Sequence, residues 1–81
     1  MRCTVLFFAQ VRDAVGKDRE EISLRDNATV QDALGVIITQ HAAVAATVDR
    51  IAVAVNEKYC ARNSPLMDGC TIALIPPVSG G

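Results

Sequence analysis

The chain has 81 residues, a formal net charge of −1 and 51% hydrophobic residues, of which few are aromatic. This is enough for one small domain with an aliphatic core, and the charge, with no Lys- or Arg-rich tract, argues against a nucleic-acid partner. No apolar run approaches the roughly 20 residues that span a bilayer, and Met1 opens directly into a strand pattern without a secretory leader. We therefore expect a cytoplasmic protein with no membrane partner.

The first part of the chain predicts two strands around a short helix. Residues 2–9 are rich in Val, Leu and Phe and predict a strand with apolar side chains on both faces. Residues 10–15 predict a short helix that ends at Gly16. Residues 19–24 alternate between polar and apolar side chains, which predicts a second strand.

One longer helix is predicted to follow. Thr29 can accept hydrogen bonds from the first helical turn and Asp32 can reach back to it, as in a capping box. The residues on its apolar stripe are Val30, Leu34, Ile37, Ile38 and His41. Residues 42–48 predict a turn and a short helical piece.

The second half predicts three further strands. They cover residues 51–55, 59–61 and 70–75, with turns at residues 56–58 and at Asp68-Gly69. Pro76 cannot donate to a ladder, so strand pairing should end there. With one long helix available to cover one face of a mixed sheet, the fold class is α+β. The first and last strands are the most apolar and should lie side by side at the centre.

The side chains offer no recognisable catalytic or metal-binding constellation. The single histidine, His41, lies on the helix stripe and suits packing or capping better than catalysis. Cys3, Cys60 and Cys70 are odd in number and lack CxxC spacing, so we interpret them as small buried hydrophobes. We therefore predict no metal site and no stably bound cofactor.

The last two residues, Gly80 and Gly81, are the most informative pair in the sequence. A terminal Gly-Gly presents a carboxylate with no side chain nearby, on backbone slim enough for a narrow channel. Gly81 is therefore the candidate reactive residue. The alternative is a frayed terminus that happens to be rich in glycine.

Three segments carry a family resemblance. They are Leu6-Phe7-Phe8-Ala9-Gln10-Val11-Arg12, Asp68-Gly69 and Pro76-Pro77-Val78-Ser79-Gly80-Gly81. With them the chain resembles the MoaD-type sulfur carriers, the small subunits of molybdopterin synthase, over nearly its whole length. Residues 26–50 match only in pattern. The terminal Gly-Gly alone is shared with ubiquitin, with thiamine-pathway carriers and with the ubiquitin-related modifier of tRNA thiolation.

The resemblance implies a β-grasp, ubiquitin-like fold, with a domain over residues 1–75 and an extended tail over residues 76–81. It also implies that an E1-like adenylyltransferase joins the Gly81 carboxylate to AMP and that sulfur then replaces AMP to give a thiocarboxylate. The tail would enter the large subunit of molybdopterin synthase, in a heterotetramer of two small and two large chains. The sulfur would build the dithiolene of the molybdenum cofactor, and the chain alone would not be catalytic.

The resemblance also implies a partner-binding surface. Strand alternation places Val5 and Phe7 beneath the helix and Leu6 and Phe8 on the open face. The implied partner-binding residues are Phe8, Tyr59, Ile75, Pro76, Pro77, Val78, Ser79 and Gly80, the first three as an exposed apolar patch. The alternative is that both phenylalanines are core. The prolines should stiffen the tail, or they merely end the last strand.

Two other functions stay open at this stage. The chain could be a ubiquitin-like modifier whose Gly81 becomes an amide on lysines of other proteins, or a plain interaction domain with an inert tail. Arg12 is either a partner contact or a charge on a helix face.

Overall fold

A computed structural model describes residues 1–77 and contains five strands and two α-helices. Predictions that concern Val78, Ser79, Gly80 and Gly81 lie outside the described residues. The strands are β1 (Arg2–Phe7), β2 (Arg19–Ser23), β3 (Ala52–Val55), β4 (Lys58–Tyr59) and β5 (Thr71–Ile75). The helices are α1 (Ala9–Val15) and α2 (Val30–Gln40), with two short 3₁₀ helices at Ala42–Ala46 and Val48–Arg50.

The strands form one mixed sheet in the order β2-β1-β5-β3-β4. The first and last strands are parallel neighbours near its centre, with Val5 opposite Ile72, while the other pairs are antiparallel. This confirms the predicted side-by-side placement of the two most apolar strands. A mixed sheet covered by one main helix is the expected β-grasp arrangement.

Helix α2 begins at the predicted capping box. The Thr29 backbone N–H donates to Asp32 Oδ2 at 2.9 Å, and the Thr29 hydroxyl accepts from the Asp32 N–H at 3.4 Å. The helix buries Val30, Ala33, Leu34 and Ile37. Its apolar stripe therefore runs through Ala33, and the predicted member Ile38 is only half-buried.

The core lies between this helix and the covered face of the sheet. Its largest fully buried side chains include Phe7, Leu34, Ile37, Ile72 and Leu74. Val5 and Phe7 are 1% and 2% exposed, so they lie beneath the helix as the alternation predicts, and the alternative in which Phe8 is also core is wrong.

Some predicted boundaries were wrong for reasons of backbone geometry. β1 ends at Phe7, two residues before its predicted end, because Ala9 has a φ of 47° and turns the chain into α1, which begins one residue early. β4 is Lys58–Tyr59 rather than residues 59–61, because Asn56 and Glu57 alone make the turn with φ of 49° and 73°. Cys60 then follows the strand and is half-buried, unlike the fully buried Cys3 and Cys70.

The histidine has a structural role. His41 caps the C-terminus of α2, packs edge-on against Phe7, and donates from Nε2 to Glu20 Oε1 at 3.0 Å. The Nζ atom of Lys17 lies 2.6 Å from the same oxygen. Hydrogen bonds from Lys17 and His41 hold the pKa of Glu20 below its usual value. The predicted packing and capping role of His41 is confirmed.

Candidate partner-binding surface

The open face of the sheet carries an apolar groove of about 590 Å³. One row of paired residues crosses it: Leu6 on β1 faces Ala73 on β5, Ala73 faces Ala54 on β3, and Ala54 faces Tyr59 on β4. Because directly paired residues share a face of a sheet, their side chains all point to the same side. The two alanines form a low floor between larger side chains.

Phe8 forms one wall of the groove. It is the residue before α1, and its extended backbone (φ −124°, ψ 150°) continues the alternation of β1 by one position. Its ring therefore points away from the helix-covered core, and 43% of the residue is exposed. Ala9 then reverses the chain through its positive φ, which stops the strand directly after this ring.

Tyr59 forms the opposite wall. It lies on the short edge strand β4 and is 72% exposed. The tight turn that places it is tied to β5, since Asn56 Oδ1 accepts from the Thr71 N–H and the Asn56 N–H donates to the Thr71 carbonyl, both at 2.9 Å. The position of Tyr59 is thus fixed by the two hydrogen bonds that join Asn56 to the central strand.

Ile75 closes the end of the groove nearest the C-terminus. It pairs with Ala52 at the end of β5 and lines the groove with Phe8 and Tyr59, so the structure brings the three predicted residues together. Ile75 is half-buried, which corrects the expectation that it is exposed like the two aromatic residues. The reason is its place between neighbouring strands, whereas Tyr59 lies on an edge.

The groove continues toward the end of the described chain. A second, smaller depression of about 420 Å³ is lined by Phe8, Ala9, Gln10, Asp13, Ile75, Pro76 and Pro77. Pro76 is buried and Pro77 is exposed. The apolar surface therefore leads from Tyr59 across the sheet to the point where residues 78–81 begin. The division into domain and tail at residue 76 stays a prediction.

The rim of the groove carries charges of both signs. Arg19 on the neighbouring strand β2 is paired with Leu6, and Glu57, in the turn before Tyr59, lines the groove. An apolar floor with a mixed charged rim suits a protein surface better than a small charged substrate.

Within residues 1–77, no group of three or more His, Cys, Asp or Glu side chains could hold a metal ion. None of the helices in this part of the chain combines the length and apolar character that crossing a membrane requires.

Sequence reasoning missed the floor of the groove. The sequence places Ala54 and Ala73 in strands without indicating a surface role, although each lies between two larger apolar residues, in Val53-Ala54-Val55 and Ile72-Ala73-Leu74. A small residue at each open-face position between large covered ones was the available signal. The binding roles of Phe8, Tyr59 and Ile75 stay predictions.

Comparison with known proteins gives a consistent family. The sequence pattern of the ThiS family matches residues 5–81. A molybdopterin synthase sulfur carrier subunit of Escherichia coli is 41% identical over 95% of this chain and 96% of its own length. The protein of the same name from Chlamydomonas reinhardtii is 35% identical over the full length of both chains.

Solved structures agree in fold. The SAMP1 protein of Haloferax volcanii superposes with a TM-score of 0.93 at 29% identity, over the whole of both chains. A chain from the complex of subunits 1 and 2 of the molybdopterin-converting factor of Helicobacter pylori superposes with a TM-score of 0.71 at 28% identity, again over the whole of both chains.

Proposed function

The chain belongs to the ThiS family, and we propose on this basis that it is the sulfur carrier subunit of a molybdopterin synthase, with sulfur held as a thiocarboxylate on Gly81. The observation that carries the proposal is the continuous apolar surface from Tyr59 through Phe8 and Ile75 to Pro77, directly before the terminal segment. A partner that covers this surface also comes close to the residues that follow Pro77 in the chain.

Activation of Gly81 is the first step of the proposed function. An α-carboxyl group has a pKa of about 3.3–3.7, so at neutral pH it is an anion and a poor electrophile. An E1-like adenylyltransferase would let a carboxylate oxygen attack the α-phosphorus of ATP, which releases pyrophosphate and leaves an acyl adenylate. Hydrosulfide would then attack the acyl carbon and expel AMP, and loss of the remaining proton to solvent leaves the thiocarboxylate.

Delivery of the sulfur is the second step. The large subunit would bind the groove and enclose residues 78–81, so that the thiocarboxylate sulfur meets the pterin precursor held in the partner. Binding of the folded surface thus holds the reactive end in place, and such positioning contributes several kcal/mol in favourable cases. In this function the chain is a sulfur donor and not a catalyst by itself. The assembly of two small and two large chains and the cytoplasmic location are parts of the proposal.

Several features support this account. The H. pylori structure, by its title, is a complex of subunits 1 and 2 of a molybdopterin-converting factor, so a chain of this fold there binds a second subunit. In the present chain the groove has the aromatic walls and small-residue floor that fit an inserted apolar side chain of such a partner.

Deletion of Gly81 tests the proposal. The parent protein, incubated with ATP, an E1-like adenylyltransferase and a sulfide donor, should gain the mass that accompanies replacement of one oxygen by sulfur. The variant that ends at Gly80 should retain its fold by circular dichroism and support no molybdopterin synthesis with the large subunit. Met67→Ala is a suitable control, because Met67 is 74% exposed but does not line the groove. Molybdopterin synthesis by the Gly81-deleted protein would refute the carrier function.

A second candidate function is that of a ubiquitin-like modifier. The observation that favours it is the superposition with H. volcanii SAMP1, since another structure of that protein is titled small archaeal modifier protein 1. Both functions begin with the same adenylate, but the modifier ends as an amide on a lysine. Peptide mass spectrometry of proteins incubated with the activated chain would show lysines carrying its C-terminus if this function holds. Carriers of the thiamine or tRNA-thiolation pathways would yield the thiocarboxylate but fail to complement a molybdopterin synthase.

A further inference from the structure

Two thiols meet in the core at the end of β5 opposite to Ile75. The Cys70 thiol donates to the sulfur of Cys3, and the two Sγ atoms lie 3.2 Å apart. Thr4 pairs with Thr71 in the parallel register of β1 and β5, so Cys3 and Cys70, one position earlier on each strand, stand side by side. The sequence separates them by 67 positions, and only the parallel pairing brings them together.

We propose that Cys3 and Cys70 form a reversible cross-strand disulfide, a redox modification site that is independent of the chemistry at Gly81. Neighbouring strands lie about 4.8 Å apart, which falls within the Cα separations of roughly 4.4–6.8 Å that disulfides span. The sulfurs already touch rather than point apart, and they need to approach by only about 1 Å to reach bonding distance.

A small oxidant has a route to this pair. Cys3 lines a surface depression together with Met1, Arg2, Thr4, Glu21, Asp68 and Gly69. The wall formed by Asp68 and Gly69 belongs to the exposed turn before Cys70, whose backbone N–H bonds to the carbonyl of Met67. A hydroperoxide that enters this depression needs only a local opening of the turn to reach the sulfurs.

The environment makes the oxidation slow. Burial raises the pKa of Cys3 to about 11, so its thiolate is scarce at neutral pH. Because the thiolate is the nucleophile, the pair is suited to sustained exposure to peroxide rather than to a brief pulse.

The oxidation needs only a hydroperoxide such as hydrogen peroxide. One thiol loses its proton, and the resulting thiolate sulfur attacks one oxygen of hydrogen peroxide. The O–O bond breaks and a sulfenic acid forms, while the departing hydroxide takes up the released proton and becomes water. The second sulfur attacks the sulfenic sulfur, the S–O bond breaks, and a second water leaves. Two thiols are oxidised to one disulfide while one peroxide is reduced to two waters.

Cys60 provides an internal reference. It is half-buried after β4, and its thiol donates to the Val53 carbonyl at 3.7 Å rather than to either of the other sulfurs. The Cys60→Ser variant therefore keeps the pair intact and removes the third thiol.

The test uses the full-length Cys60→Ser protein, folded and treated with hydrogen peroxide over hours. We expect both thiols to disappear together, the intact mass to fall by that of two hydrogens, and peptide mapping to join the segments that contain Cys3 and Cys70. Dithiothreitol should restore both thiols. Cys3→Ser and Cys70→Ser variants on the same background should each keep a single thiol and form no intramolecular link.

A thermal melt separates a native cross-link from one made after unfolding. The oxidised protein should unfold cooperatively, with a Tm about 5 °C or more above that of the reduced form, because the link closes a long loop in the unfolded chain. The proposal is overturned if the folded protein keeps both thiols under conditions that oxidise a urea-unfolded sample. Addition of oxygen atoms without a cross-link, or a cross-link that abolishes cooperative unfolding, would overturn it as well.

Discussion

The two faces of the sheet are built from alternate residues of the same strands, yet they have opposite characters. On the face covered by α2, Val5, Phe7, Ile72 and Leu74 are each no more than 2% exposed. On the open face, Leu6 and Ala73 are half-buried and Phe8 is 43% exposed. The backbone and its hydrogen bonds are common to both faces. The difference comes from the cover that α2, with Val11 of α1 and Val44 of the first 3₁₀ helix, places on one of them.

This contrast separates stability from recognition. The covered face excludes water already in the isolated chain, so its side chains contribute to the free energy of folding. The open face keeps apolar area in contact with water, and that area yields its free energy only when a partner covers it. Substitutions one residue apart in sequence should therefore affect different measurements.

The largest expected effect is on the covered face. Phe7→Ala should lower the free energy of unfolding by about 3–5 kcal/mol, because it leaves a cavity between the sheet and His41. Urea denaturation measures this loss, and Phe7→Leu, which keeps most of the volume, should lose clearly less. If Phe7→Ala lowers the free energy of unfolding by less than Phe8→Ala does, the two faces have been assigned in reverse.

The second effect sharpens the comparison on the open face. Phe8→Ala should weaken binding to the large subunit about tenfold or more, which corresponds to about 1.4 kcal/mol, and cost less stability than Phe7→Ala. Isothermal titration calorimetry with the large subunit gives the affinity. Met67→Ala removes an apolar side chain that is even more exposed than Phe8 (74% against 43%) but lies away from the groove, so it should leave the affinity unchanged. If both variants bind equally well, the groove is not the interface.

A smaller effect is expected where the groove meets the tail. Pro77 is exposed and restricts the backbone before residues 78–81, so Pro77→Gly should weaken binding by about 0.4–1 kcal/mol through added entropy of the free chain. Pro76 is buried, and its replacement would also disturb packing, which makes Pro77 the cleaner site. Calorimetry should show the loss mainly in the binding entropy. If the affinity and the binding entropy do not change, the better explanation is that the prolines only end strand β5.

The smallest effect concerns the helix that makes the faces differ. The Thr29 backbone N–H, and after it the Arg25 guanidinium, hold the pKa of Asp32 below its usual 3.8. The resulting stabilisation is present above pH 3.8 and is lost as the pH falls through the lower folded pKa. Asp32→Asn should therefore flatten the fall of unfolding free energy in acid, as measured by urea melts from neutral pH downward. Arg25→Gln should keep most of that fall, because the backbone hydrogen bond remains.

Local patterns in the sequence determined much of the fold. Period-two alternation separated Phe7 from Phe8, and the spacing of Thr29 and Asp32 located the start of α2, because both depend on residues close together in the chain. The three segments that resemble the sulfur carriers pointed to the family, which the match over residues 5–81 confirms. Residues 78–81 and their chemistry stay a prediction from the sequence.

Only the tertiary structure decided which distant residues meet. The alanine floor of the groove, the wall formed by Tyr59 and the contact between Cys3 and Cys70 all depend on the strand order β2-β1-β5-β3-β4 and its registers. The apolar character of the first and last strands predicted that they are central neighbours, but no local pattern gives the places of the other strands or the registers, because these depend on contacts between segments far apart in the chain. A shift of one residue in one register would turn the groove residues toward the core and separate the two sulfurs.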